Sequence, residues 1–231
     1  MSKQAIKRII NRDIKDIQEL ELNKQGIYIE FNEENMLEAQ AMIIGPKDTP
    51  YQHGFLFFDI IFPTNYPWAP PIVYYISTSR LRIHPNLYVG RSSNNFRGKV
   101  CLSILNTWTG PKWTTVMTIS SVLLSIQSLL ISNPITNEPG FEKCENKLST
   151  MYNHIVQYDT FSTLIYTNRN IPIYKFKIFK PIIDSYLEDN LQEIKQLLNT
   201  LYEKNPKSIN IIIGVYRING KISYKNLLNL I

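Results

Sequence analysis

Cys101-Leu102-Ser103-Ile104-Leu105, with His84-Pro85-Asn86 upstream and Trp108-Thr109-Gly110-Pro111-Lys112-Trp113 just after it, decides how this chain is read. The region gathers a thiol, a carboxamide and turn-forming prolines. A thiol serves chemistry when its thiolate can attack or carry an acyl group, which needs an accessible sulfur beside a group able to bind an oxyanion. Asn86 is the candidate donor. The alternative is that Cys101 is a small apolar core residue, because free cysteines are commonly buried and Val100, Leu102, Ile104 and Leu105 surround it.

Working outward, the upstream chain carries Gly45-Pro46-Lys47-Asp48-Thr49-Pro50-Tyr51, Gly54, Phe62-Pro63 and Tyr66-Pro67-Trp68-Ala69-Pro70-Pro71. Downstream stand the apolar run 119–130 and Asn137-Glu138-Pro139-Gly140-Phe141-Glu142. In order and spacing these motifs resemble the ubiquitin-conjugating enzymes, over roughly residues 3 to 165. The Thr-Trp-Thr-Gly-Pro-x-Trp run and the Asn-Glu-Pro-Gly-Phe-Glu segment look most like the Z-type branch of that family. Tyr152-Asn153, Ile155 and the closing Tyr224-x-x-Leu227-Leu228 are similar to that branch's extended C-terminus; the other reading of this tail is an unrelated helical cap.

The resemblance implies an α/β (α+β) fold with an N-terminal helix, a four-stranded antiparallel meander, an active-site loop, a central helix and a C-terminal helical extension. It divides the chain into a conjugating core, 1–165, and an extension packed on it, 166–231. It implies a thioester carrier that receives ubiquitin, or a ubiquitin-like modifier, on Cys101 from an activating enzyme and passes it to a lysine of a substrate protein, with no cofactor and no metal. Asn86 becomes the oxyanion or loop-ordering residue. His84 supports the turn or acts as a base, and Asn137 and Glu138 stand at the acceptor gate, where Glu138 would take the amine's proton or orient it; Glu138 could equally be a solvated loop carboxylate. Lys7 and Arg8 match the docking face for the activating enzyme, although basic residues on an exposed helix are often just solvated. Pro67, Trp68 and Thr115 match the contact surface for ligases, with Trp68 an exposed aromatic anchor.

Three features depart from the family pattern. Residues 87–100 between Asn86 and Cys101 number fourteen, about twice the usual count, and the polar stretch 91–98, ending in Gly98, reads as a mobile flap. After Trp113 the chain has Thr114-Thr115-Val116 where the family usually has Ser-Pro-Ala, and Ser103 replaces a common acidic residue. Pairing with RING-type ligases and the identity of the modifier are thereby left open. The competing functions are a non-catalytic module of the same fold that binds ubiquitin or a ligase, which keeping Cys101 argues against, and a cysteine hydrolase using Cys101 and His84, which lacks an orienting acid.

Periodicity supplies the rest. Ile6, Ile9, Ile10, Ile14, Ile17 and Leu20 recur at helical spacing, predicting an amphipathic helix over 3–23 that Gly26 ends. The runs 28–31, 37–44, 55–62 and 72–76 predict the meander, and Pro67, Pro70 and Pro71 keep the loop that precedes the last run out of the sheet. Val116, Ile119, Val122, Leu123, Ile126, Leu129 and Leu130 give the central helix its stripe. Further helices are predicted over 149–166 and 181–203, then a short apolar segment over 209–215 and a last amphipathic helix from Lys221 to Ile231.

Composition sets the bounds. With 231 residues, 44% hydrophobic and 12% aromatic, the chain can bury one substantial core and a small lobe. Two cysteines and three histidines offer neither a disulfide framework nor a metal-ligand spacing. The N-terminus lacks an apolar signal core, and no run approaches the roughly 20 apolar residues that span a bilayer, so a cytoplasmic or nuclear protein is expected, not a membrane one. The net charge of +6 is spread along the chain without a basic-aromatic reader motif, and nucleic-acid binding is not expected.

Overall fold

The computed structural model describes residues 2–90 and 96–230. They form two compact units: Met1–Ile44, Leu56–Ser77 and Asn86–Leu130 in the first, and Gly45–Phe55, Thr78–Pro85 and Ile131–Ile231 in the second.

The first unit opens with helix α1 (Ser2–Arg8), which passes through a wide turn at Ile9–Asp13 into α2 (Ile14–Glu19). The wide turn alters the helix phase, so Ala5, Ile9 and Asp13 face inward while Ile10 and Leu20 of the expected stripe are exposed. A short turn then ends at Gly26, whose φ of 76° is the left-handed conformation glycine adopts without steric cost.

A five-stranded antiparallel sheet follows in the order β1 (Ile27–Phe31), β2 (Glu38–Ile44), β3 (Phe55–Ile61), β4 (Ile72–Ile76), β5 (Arg97–Lys99). The four-stranded meander is thus present, extended by β5. Strand β3 has lost the alternation of a half-buried strand because it is central and covered on both faces. Its one acid, Asp59, is 3% exposed and pairs with Arg97 of β5, whose guanidinium lies over the Tyr74 ring.

Residues 91–95 of the expected flap lie outside the described residues, but Arg97 and Gly98 are not flap. They pair with Ile76 and Tyr75 of β4. Gly98 is required there, since a Cβ would run into the Tyr88 carbonyl.

Helix α3 (Ile119–Leu129) buries Ile119, Val122, Leu123 and Ile126. It starts three residues later than Val116, which is 75% exposed and outside the stripe, because Thr118 and Ser121 form a capping box. Asp13 adds a second cap, its Oδ1 accepting from the Ile119 N–H at 2.8 Å and from the Tyr66 hydroxyl at 2.6 Å. Burial pushes the Asp13 carboxyl up despite these donors and nearby Arg8.

In the second unit α4 (Lys147–Asp159) runs on through a wide-turn segment, Thr160–Thr167, and α5 (Lys180–Lys204) is its longest helix. The tail then differs from expectation. Ile209–Ile213 and Ile218–Ile222 are strands β6 and β7 of an antiparallel hairpin, and Tyr224–Leu227 forms only a short turn in place of a last helix. Burial of Ile211 and Ile213 with Ile212 exposed is a period-two pattern, which a helix cannot satisfy. Among the described residues no helix is long and apolar enough to cross a membrane, and no cluster of His, Cys, Asp and Glu could hold a metal ion.

Candidate active site

In the first unit, Asn86 and Cys101 are tied to each other twice. The Cys101 N–H donates to the Asn86 carbonyl at 2.9 Å, and the Asn86 side-chain Nδ2 donates to the Cys101 carbonyl at 2.8 Å. The pairing continues away from the thiol through a Leu87–Val100 bridge and a bond from the Tyr88 N–H to the Lys99 carbonyl at 3.0 Å. The two ends of the long connection between Asn86 and Cys101 are therefore paired as a two-stranded ribbon. Its arms put a carboxamide beside the cysteine backbone.

On the other side of Cys101 the chain turns through Ser103–Leu105 and a left-handed Asn106, φ 58°, which returns Thr107 to the strand. The Thr107 hydroxyl accepts from the Leu102 N–H at 2.9 Å and donates to the Val100 carbonyl at 2.8 Å. It brackets Cys101 from both neighbours. Sequence reasoning passed over Thr107; the signal available was a hydroxyl six residues after the cysteine, next to a turn-forming Asn.

Cys101 itself is 2% exposed. The expectation of an accessible sulfur is corrected here, so acyl chemistry at this thiol requires that it first be uncovered. Asn86 is also buried. In this state one of its amide hydrogens is spent on the Cys101 carbonyl, which makes it the brace of the cysteine segment.

The predicted docking residues lie in the first unit as well. Lys7 is exposed. Arg8 is not a free docking cation: its Nη2 donates to the Thr115 carbonyl at 3.2 Å and the Met117 carbonyl at 2.9 Å, and its Nε lies 3.8 Å from Asp13. It holds in place the backbone of the segment that contains Thr115. Trp68 is 71% exposed and Thr115 is exposed. Pro67 supports the loop, its carbonyl accepting from the Trp113 Nε1–H at 2.7 Å while Trp113 packs on Tyr66 at 5.8 Å between ring centroids.

The second unit holds His84, Asn137 and Glu138. The segment beginning Gly45-Pro46 approaches itself so closely that a Cβ at Gly45 would strike the Tyr51 backbone. Tyr51 then reaches the Ile83 carbonyl with its hydroxyl at 2.6 Å and lies 6.2 Å from the His84 ring. His84 is fully buried, with its Nε2 3.3 Å from the Asn137 Nδ2. This geometry supports a turn.

Glu138 is not a merely solvated loop carboxylate. Its Oε2 accepts from the Tyr216 hydroxyl at 2.6 Å and lies 3.9 Å from the Arg82 guanidinium. Arg82 lies 4.8 Å above the Tyr216 ring and also donates to the Pro85 carbonyl. Tyr152 completes the cluster, donating to the Arg82 carbonyl at 2.8 Å with its ring 5.3 Å from that of Tyr216. Nothing in the sequence reading anticipated Arg82 or Tyr216, which meet Glu138 only through tertiary folding.

The sequence profile of the family described as ubiquitin-conjugating enzyme matches residues 9–162. Ubiquitin-conjugating enzyme E2 Z of Danio rerio is 42% identical over 167 residues, covering 71% of this chain and 48% of the relative. The Homo sapiens E2 Z is 42% identical over 143 residues, 61% of this chain and 38% of the relative. Probable ubiquitin-conjugating enzyme E2 25 of Arabidopsis thaliana is 40% identical over 177 residues, 72% of this chain and 26% of the relative. This chain thus aligns with half or less of the length of these relatives. With the sheet, the capped helix α3 and the Asn86–Cys101 ribbon in place, the chain belongs to the ubiquitin-conjugating enzyme family and is similar to its Z-type members.

Proposed function

We propose that this protein is a ubiquitin-conjugating enzyme that carries ubiquitin, or a ubiquitin-like modifier, as a thioester on Cys101. The observation that carries this reading is the double tie between Asn86 and Cys101, which fixes a thiol-bearing residue next to a carboxamide in a member of this family. The Cys101 thiolate attacks the thioester carbonyl presented by the activating enzyme. A new C–S bond forms and the activating enzyme's thiol leaves. A substrate lysine amine then attacks the new thioester, a C–N bond forms, the C–S bond breaks, and the amine's proton is lost while Cys101 departs as thiolate. An amide N–H aimed at the tetrahedral oxygen lowers such barriers by about 3 to 4 kcal/mol, and Asn86 is assigned that role once its bond to the Cys101 carbonyl is exchanged.

Asn137 and Glu138 are assigned to the acceptor side by the resemblance to the family, with His84 supporting their turn. Lys7 is assigned to the activating enzyme, and Trp68, Pro67 and Thr115 to a ligase. Residues beyond about 165 are assigned to an extension of the conjugating core. A reducing compartment, the cytoplasm or nucleus, belongs to the same proposal and is supported by two buried cysteines, Cys101 and Cys144, that are not joined in a disulfide.

The test is a loading reaction with an activating enzyme, ATP and labelled ubiquitin, resolved with and without reductant. A thiol-labile adduct on the native chain, absent in Cys101→Ser or replaced there by a thiol-resistant ester, is the expected result. No adduct with any activating enzyme and modifier tried would overturn it in favour of a non-catalytic module.

A further inference from the structure

The second unit ends in a hairpin whose turn carries Tyr216, and the hydroxyl of that residue is not spent on the hairpin. It donates to Glu138 Oε2 at 2.6 Å, a charge-assisted bond across 78 residues of sequence. Arg82 reinforces it from two directions, lying 3.9 Å from the same carboxylate oxygen and 4.8 Å above the Tyr216 ring. Both partners address Oε2. Among the described residues no hydrogen bond is made to Oε1, and the Glu138 side chain keeps 20% of its surface exposed. A carboxylate fixed through one oxygen and open at the other is suited to receiving a cation or an amine N–H. It is less suited to swinging.

Arg82 also donates to the Pro85 carbonyl. Asn137, next to Glu138, is held against the His84 ring at 3.3 Å. Burial and the neighbouring carboxylate push the Tyr216 phenol well above its ordinary value, so it stays protonated as a donor throughout the working pH range.

We propose that Tyr216 is a positioning residue for aminolysis of the thioester: its hydroxyl fixes Glu138 so that Oε1 receives the N–H of the incoming lysine. The C-terminal hairpin is then part of the transfer machinery, and the chain's last strands act on the second half-reaction only. This rests on the proposed function, since it presupposes a thioester on Cys101 and an acceptor amine addressed by Glu138.

The experiment uses the full chain. Cys101 is loaded with ubiquitin, activation is stopped, and discharge is followed over a series of free lysine concentrations for the native chain, Tyr216→Phe, Tyr216→Leu, Glu138→Gln and the Tyr216→Phe/Glu138→Gln double variant. Tyr174→Phe, at an 81% exposed tyrosine of the same unit, is the control that leaves both half-reactions unchanged. Tyr216→Phe is expected to load within about twofold of native and to lose about tenfold in maximal discharge rate, the loss of one charge-assisted hydrogen bond, with its half-saturating lysine concentration unchanged. Tyr216→Leu should discharge no more slowly than Tyr216→Phe, and the double variant no more slowly than Glu138→Gln alone. Native discharge by Tyr216→Phe, a much deeper loss in Tyr216→Leu, or multiplying losses in the double variant would each overturn the positioning role while leaving the thioester carrier standing. Failure of the native chain to load at all would overturn the proposed function and this inference with it.

Discussion

Around Cys101 the chain is held by its own backbone and two short side chains, Asn86 and Thr107, the farther only fifteen residues away in sequence. Around Glu138 the holding is done by the tips of long side chains, one of them 78 residues away, with Tyr152 fixing the backbone of Arg82. The first arrangement is written into a ribbon and a turn and forms whenever those strands pair. The second exists only when distant parts of the second unit have folded together. Short local side chains would keep the nucleophile's frame constant, whereas the acceptor side depends on the state of the tail.

The largest expected effect falls on the short side chain that the comparison makes most important. Asn86→Ala removes the donor to the Cys101 carbonyl and the proposed oxyanion donor together, and discharge to lysine should fall about 100- to 1000-fold. Asn86→Asp keeps the size of the side chain but places a carboxylate oxygen where the donor stood, and should be as slow. A normal discharge rate with lowered thermal stability would reduce Asn86 to a structural brace.

Asp159 offers a pH test of the second unit. It is fully buried, its Oδ1 accepting from Ser79 at 2.7 Å and Thr163 at 2.9 Å, and burial raises it to about 6 against the pull of those two hydroxyls. The folded protein therefore keeps this proton to a higher pH than the unfolded chain, and stability falls as pH rises from about 4 to about 6, then levels. A shift of that size is about 3 kcal/mol by linkage. Asp159→Asn carries no charge and retains an acceptor for Ser79 and Thr163. Denaturant melts at pH 4.5 and pH 7 should show it gaining on the native chain at the higher pH. Burial lowers His53 and His154, so their contribution changes in the opposite sense, but the difference between native and variant isolates Asp159. An unchanged difference between the two pH values would show that Asp159 is not the raised group.

Returning to the ribbon, Thr107→Val keeps the shape of the side chain and removes the hydroxyl that brackets Cys101. It leaves the Leu102 N–H without its side-chain acceptor and the Val100 carbonyl without a donor, at a cost of about 1 to 3 kcal/mol in global stability. The loss should appear also as faster alkylation of Cys101, followed by mass spectrometry. Unchanged alkylation would mean that Asn86 alone fixes the segment.

The same contrast explains what the sequence disclosed. The meander, helix α3 and the nearness of Asn86 to Cys101 were legible because each rests on local periodicity or on motifs a few residues long. The long connection before Cys101 misled because polar residues ending in glycine look like a loop; Gly98 is there so that one arm of the ribbon can pass the Tyr88 carbonyl. Arg8 looked like a docking cation because sequence shows charge but not the carbonyls of Thr115 and Met117 that absorb it. The hairpin was hidden in a run of isoleucines whose alternation appears only once Ile211 and Ile213 are seen buried. Tyr216 could not be inferred, since its importance comes entirely from partners far away in sequence.

The smallest effect is expected at Tyr152, and it tests whether the long-range cluster behaves as a unit. Its hydroxyl donates to the Arg82 carbonyl at 2.8 Å, and burial pushes the phenol well above its ordinary value, so it remains a neutral donor at any working pH. Tyr152→Phe keeps the ring beside Tyr216 and removes one buried neutral hydrogen bond, a loss of about 1 kcal/mol in stability. If the Arg82 backbone position governs how firmly Glu138 is held, discharge should fall by a few-fold alongside that loss, while hydrogen exchange at the Cys101 amide stays as in the native chain. Slower discharge with unchanged Cys101 exchange would show that the acceptor side answers to distant side chains independently of the ribbon. Faster exchange at Cys101 would mean that the two regions open together, and the division between local and long-range support would fail.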